Sequence, residues 1–453
     1  MPPADTPSSY WSDATEAALN AVIGDYLERR RNSLAIPMAL HELGRPLALT
    51  REALRAARPA ATSKIVLFVH GMGCTEACWS YLDDRRGLRP ASDDRVPSVS
   101  YGSQLEAELD FTSYYLRYNT GRHVSENGRD LAVLLEQLVA AHPVPPLELT
   151  LVGHSMGGLI IRSACHYADE LGLRWIELAR RAIYLGTPHL GSPLEKAGHL
   201  VSVALAAIPN PVVKLTAALA NLRSVGVKDL RHGSIRDEDW QQQNLDALDA
   251  PRPFQVPLRP GLRHYLVAGT LTGDERQLLG QLLGDALVRI ASATAPGLSA
   301  DLPGDHIAVL PGVTHMNLAR HPSVYTRLKG WCDDAADRAS PCPIDDRAAS
   351  PECLPSAPRD RVGGYRALVE DAVDAGATAV QQIQEEFTTR PYDLLEQIPP
   401  LAAPAKVVRG VHFTLLRSSY AMVRLVNRWV GAALQTALER QGDEEPPSTA
   451  SRR

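Results

Sequence analysis

Apolar residues fall along the chain in two kinds of stretch. Short runs bounded by Gly, Pro or polar clusters are too brief for helices and read as buried strands: residues 64–69 (KIVLFV), 114–118 (YYLRY), 147–152 (LELTLV), 181–187 (RAIYLGT), 264–270 (HYLVAGT) and 306–310 (HIAVL). Other stretches repeat at the helical period. Leu131, Leu134, Leu135 and Leu138 mark one helix, with Ser125 its expected N-cap, and Leu159, Ile160, Ile161, Ala164, Cys165 and Tyr167 mark the next. Upstream, Ala18, Val22, Tyr26 and Leu27, then Leu34, Met38 and Leu40, predict amphipathic helices covering one face, after a disordered start at residues 1–12.

The strand over 147–152 runs into Gly153-His154-Ser155-Met156-Gly157 and then straight into the second helix. This is G-x-S-x-G in the setting that gives the pattern meaning: a sharp strand-to-helix turn lifting a serine hydroxyl above the strand end. Ser155 is the candidate nucleophile, and the positive end of the following helix suits a developing oxyanion. The strand over 64–69 closes on His70-Gly71-Met72-Gly73, where the backbone N–H of Met72, with that of Met156, would form an oxyanion hole. After the last strand, His315 stands where the chain order nucleophile, acid, histidine places the general base. His123 and Arg122 could line the mouth of a substrate site, but read first as solvated loop residues.

HGMG at His70, GHSMGG at Gly153 and LGTPHLGSP at Leu185, in that order, resemble the α/β-hydrolase superfamily of lipases and esterases. YNTGRHVSENGR from Tyr118 is similar to a motif of bacterial lipase-like members related to the catalytic domain of the glycosylphosphatidylinositol inositol-deacylase. The resemblance covers roughly residues 64–331 and implies an α/β fold with a mostly parallel central sheet flanked by helices. It implies a cap or lid in the insertion over 190–263, where an extra packing layer with no gating role is the equal alternative, and a Ser-His-Asp triad acting on carboxylic esters through an acyl-enzyme. The triad acid follows the strand over 264–270, where Asp274, Asp285, Asp301 and Asp305 are candidates. GDALV with Ser292-Ala293 downstream resembles the family's pattern around its acid and favours Asp285, with Asp274 in reserve.

Composition changes little of this. Charged residues make up 22% of the chain and the net charge is -5, which gives no basis for a nucleic-acid partner. The six cysteines form no C-x-x-C unit, so zinc is not expected and free thiols are, with no metal and no cofactor. Prolines and acidic residues at the start do not resemble a secretory signal, and no apolar run is long enough to span a membrane, so a cytoplasmic protein is expected.

The predicted organisation is a covering segment over 1–60, a catalytic domain over 61–332, a Pro/Ala/Ser/Asp-rich linker over 333–361, a C-terminal helical hairpin over 362–440 and a disordered tail over 441–453. The first hairpin helix is acidic and the second basic, which favours packing on one another. The second could instead rest on an anionic lipid surface. The expected partner is a small-molecule or lipid acyl ester. Two other readings stay open: an acyltransferase on the same fold, and a lipid- or granule-surface protein that uses the hydrolase domain as scaffold.

Overall fold

The computed structural model describes residues 7–42, 44–82, 98–191, 224–241, 256–270, 288 and 290–333, and four helical positions near the C-terminus: Glu396, Lys406, Arg409 and Phe413. The preferred acid candidates Asp285 and Asp274, the helices expected over 201–219, the linker and nearly all of the C-terminal hairpin lie outside the described residues. The chain divides into two compact units, one of residues 1–29, 35–201 and 222–356, the other of residues 30–34, 202–221 and 357–453. In the second unit, Arg409 pairs with Glu396 at 3.2 Å and lies over the Phe413 ring.

An eight-stranded sheet forms the first unit. In chain order its strands are β1 (Ala39–Glu42), β2 (Arg45–Pro46), β3 (Lys64–Val69), β6 (Phe111–Arg117), β7 (Glu148–His154), β8 (Ala179–Leu185), β9 (Arg263–Thr270) and β10 (Ile307–Pro311); β4 (Ser80–Leu82) and β5 (Ser98–Ser100) form a separate ribbon. The order across the sheet is β10-β9-β8-β7-β3-β6-β1-β2, parallel from β10 to β6 and antiparallel at β1 and β2. Both faces are covered, which is why the central strands are apolar at nearly every position. Ile65, Leu67 and Val69 of β3 join one core with Leu131, Leu135, Leu159 and Ile160, whereas Val66 and Phe68 join another with Trp79, Tyr101, Ile183 and Leu328. Each fully buried aliphatic side chain of this kind contributes about 1.5–3 kcal/mol.

The helices that position the site are α4 (Val124–Ala141) and α5 (Met156–Leu171); before them come α1 (Pro7–Arg29), α2 (Arg51–Ala57) and α3 (Tyr101–Leu109). Three expectations for the N-terminal part are corrected. α1 starts at Pro7, inside the stretch read as disordered. Its buried face carries Glu16, Ala17, Asn20, Ala21 and Leu27, while Val22 is 53% exposed and Ala18 is exposed too. Close backbone approach selects that face: a Cβ at Gly121 would lie 2.2 Å from Asn20 O. Met38 and Leu40, read as helical, belong to an extended stretch, with Leu40 opposite Leu116 in β1 and Gly44 (φ +80°) turning the chain into β2. Their spacing of two is a strand period.

Candidate active site

Ser155 occupies the turn between β7 and α5 with φ +54° and ψ −122°, a conformation costing about 1–3 kcal/mol in a non-glycine residue. Its amide donates to Leu185 O at 2.8 Å, fastening the turn to the end of β8. The turn demands glycine where the backbones meet: a Cβ at Gly157 would lie 2.2 Å from Val69 O, and one at Gly153 would lie 2.6 Å from Gly158 N. The Ser155 side chain is half-buried.

His315 opens a 3-10 turn, His315–Ala319, after β10 and is 4% exposed. Its ring packs over Gly186, where a Cβ would stand 3.0 Å from His315 Nδ1. Gly186 follows Leu185, the acceptor of the Ser155 amide, so the serine turn and the imidazole flank the same two residues. A second link joins them directly: His154 Nε2 lies 2.9 Å from His315 O, and the two rings sit 4.9 Å apart. Burial pushes His154 down to about 3, so it is neutral at working pH and donates its single N–H to that carbonyl.

The loop from His70 lies against the serine, since a Cβ at Gly71 would be 3.0 Å from Ser155 Cβ. Met72 is half-buried in that loop, and Met156 is fully buried at the first position of α5. Tyr118 fixes the loop by donating to His70 O at 2.8 Å and stacking on the His70 ring at 4.5 Å. His70 is held neutral by burial, down to about 4.

Of the four candidate acids, only Asp301 and Asp305 are among the described residues. Both are exposed and precede β10, at the end of the sheet opposite Ser155, so the fold does not bring them to the serine. Among the described residues no group of three or more His, Cys, Asp or Glu side chains is placed to hold a metal ion, and no helix is long and apolar enough to cross a membrane. Cys74, Cys78, Cys165 and Cys332 are free thiols.

His123 is not the solvated loop residue expected. It is 8% exposed, its Nδ1 lies 3.0 Å from Asp229 Oδ2, and its ring stacks on Trp240 at 3.8 Å. Asp229, fully buried, belongs to helix Val225–His232 of the insertion and also accepts the Val124 amide at 2.8 Å. That contact moves the start of α4: His123 takes the N-cap position, and Ser125, the expected cap, lies inside the helix and accepts from Trp240 Nε1. Arg122 is half-buried and paired with Asp130 at 2.6 Å. Nothing local announces the His123–Asp229 pair, because the two residues lie 106 apart in the chain.

No curated protein matches the chain. Similar solved structures include YbtT, the type II thioesterase of the yersiniabactin NRPS/PKS biosynthetic pathway, at 17% identity over 59% of this chain and 92% of that one, with a TM-score of 0.30. Esterase Pf2001 of Pyrococcus furiosus matches at 12% identity over 60% and 81%, TM-score 0.33. An alpha/beta hydrolase fold protein from Chitinophaga pinensis matches at 10% over 60% and 90%, TM-score 0.34. The sequence signature of the alpha/beta hydrolase family matches residues 66–328, more than half of the chain. With the sheet order, the serine turn and that match, the chain belongs to the alpha/beta hydrolase family.

Proposed function

We propose that the protein is a serine hydrolase of carboxylic esters with an apolar acyl chain. Ser155 Oγ attacks the ester carbonyl, and His315 takes its proton and returns it to the leaving alcohol. The amides of Met72 and Met156 hold the tetrahedral oxyanion, and water attacks the acyl-enzyme with His315 again as base. Asp285 is the triad acid, keeping the imidazole tautomer and stabilising its charge. The single observation that supports this reading is the positive φ of Ser155 at the β7–α5 turn: strain of this sort persists where the surrounding structure enforces it, and here the Ser155 amide is fastened to Leu185, the residue before the glycine that packs under the His315 ring.

Hydrolysis of p-nitrophenyl butyrate tests the assignment. Ser155→Ala and His315→Ala should each lower kcat by about 10⁴-fold or more. Asp285→Ala should cost less than either, and Asp274→Ala should leave kcat within about twofold. Wild-type rates in Ser155→Ala would remove the nucleophile assignment, and a loss in Asp274→Ala without one in Asp285→Ala would move the acid.

A further inference from the structure

The loop that carries Met72 is gripped at three points by one short segment, the end of β6 and the residues after it. Arg117 donates through Nε to Glu76 Oε2 at 2.6 Å and through Nη2 to Glu76 Oε1 at 2.5 Å. Tyr118 holds His70 by the stack and hydrogen bond already described, and the Gly73 amide donates to Thr120 Oγ1 at 3.3 Å. Between the outer points the loop is closed on itself, with the Cys74 amide on Gly71 O at 3.3 Å. Thr75 then caps the 3-10 turn Glu76–Trp79 that begins with the clamped carboxylate.

The Glu76–Arg117 pair is unlike the surface ion pairs of this chain. Its residues are 9% and 3% exposed. Arg117 also reaches Asp13 at 3.1 Å, and His41 Nδ1 stands 3.8 Å from Glu76 Oε1. A buried pair of this kind is no more stabilising than two well-packed apolar side chains, but its forked, two-bond geometry fixes direction as apolar contact does not.

We propose that Glu76 and Arg117 are positioning residues for the reaction, holding the loop so that the Met72 amide points at the developing oxyanion. The proposal rests on the serine-hydrolase reading. An amide aimed at the tetrahedral oxygen acts on the transition state and much less on substrate binding, so loosening the pair should lower kcat while leaving KM in place.

The test uses the full chain and a fluorophosphonate probe, whose phosphonyl oxygen takes the oxyanion position, with p-nitrophenyl butyrate hydrolysis and thermal melting alongside. Glu76→Gln should slow labelling and kcat by about tenfold or more, with KM within about twofold. The double variant Glu76→Leu/Arg117→Met, made with Asp13→Asn so that the second carboxylate on Arg117 is not left charged beside an apolar side chain, should regain the melting temperature lost in Glu76→Gln while labelling and kcat stay low. Should Glu76→Gln fail to fold, the double variant decides alone. Wild-type labelling in Glu76→Gln, or recovery of kcat together with stability in the double variant, overturns the proposal and leaves the hydrolase reading standing. A wild-type chain that does not label at all overturns both.

Discussion

His154 shows what a single side chain adds at this site. It sits beside Ser155 in sequence, yet its bond is to the backbone of His315, 161 residues away. His154→Phe keeps a ring of similar shape and removes the donor, so the protein should fold while kcat falls about tenfold or more as the imidazole loses its support. Steady-state kinetics on the folded variant check this, and an unchanged kcat would reduce His154 to packing. The serine turn and its glycines were legible in the sequence because the turn is local, and chain order is what singled out His315 as the proposed base. The contacts of His154, Glu76 and Asp229 were not legible, since each is made to a partner far along the chain.

Among elements, the six parallel strands were readable because burial on both faces leaves continuous apolar runs, although β6 begins three residues before the expected stretch at 114–118; the antiparallel β1 and β2 and the β4–β5 ribbon were not. The apolar faces of α4 and α5 were readable too, and that of α1 was not. In α1 small and polar residues are buried because the backbone of the helix meets Gly121, and hydrophobicity alone points to the wrong side. The insertion was read as a cap, and its helix Val225–His232 is pinned: Asp229 takes two buried donors, Ser224 Oγ donates to Ala21 O at 2.6 Å, and the Gly226 amide donates to Gly121 O at 3.1 Å. Asp229→Ala leaves the His123 ring and the Val124 amide without their acceptor, at about 1–3 kcal/mol for each buried donor. Hydrogen exchange should then show lost protection across residues 225–232 with β7 unaffected. Unchanged protection there would mean the other contacts suffice.

At the scale of the whole molecule, a sheet covered on both faces forces several histidines into its interior. Burial pushes His41, His70 and His264 down to about 4 and His154 to about 3. In the unfolded chain these groups take up protons near 6.5. Between 6.5 and about 4 the unfolded state therefore binds more protons than the folded one, and stability is lost as pH falls through that window. Each histidine contributes a slope of up to about 1.4 kcal/mol per pH unit. The melting temperature should accordingly drop steeply below pH 6.5; a flat profile down to pH 4.5 would contradict the neutral burial of these rings.

The catalytic account depends on one activated hydroxyl, and covalent labelling of the full chain by a fluorophosphonate, followed by peptide mapping, tests it most directly. The account predicts a single phosphonylated peptide carrying the probe on Ser155, with labelling abolished in Ser155→Ala and strongly slowed in His315→Ala. Absence of labelling in the wild type, or the probe on a different serine, would contradict it.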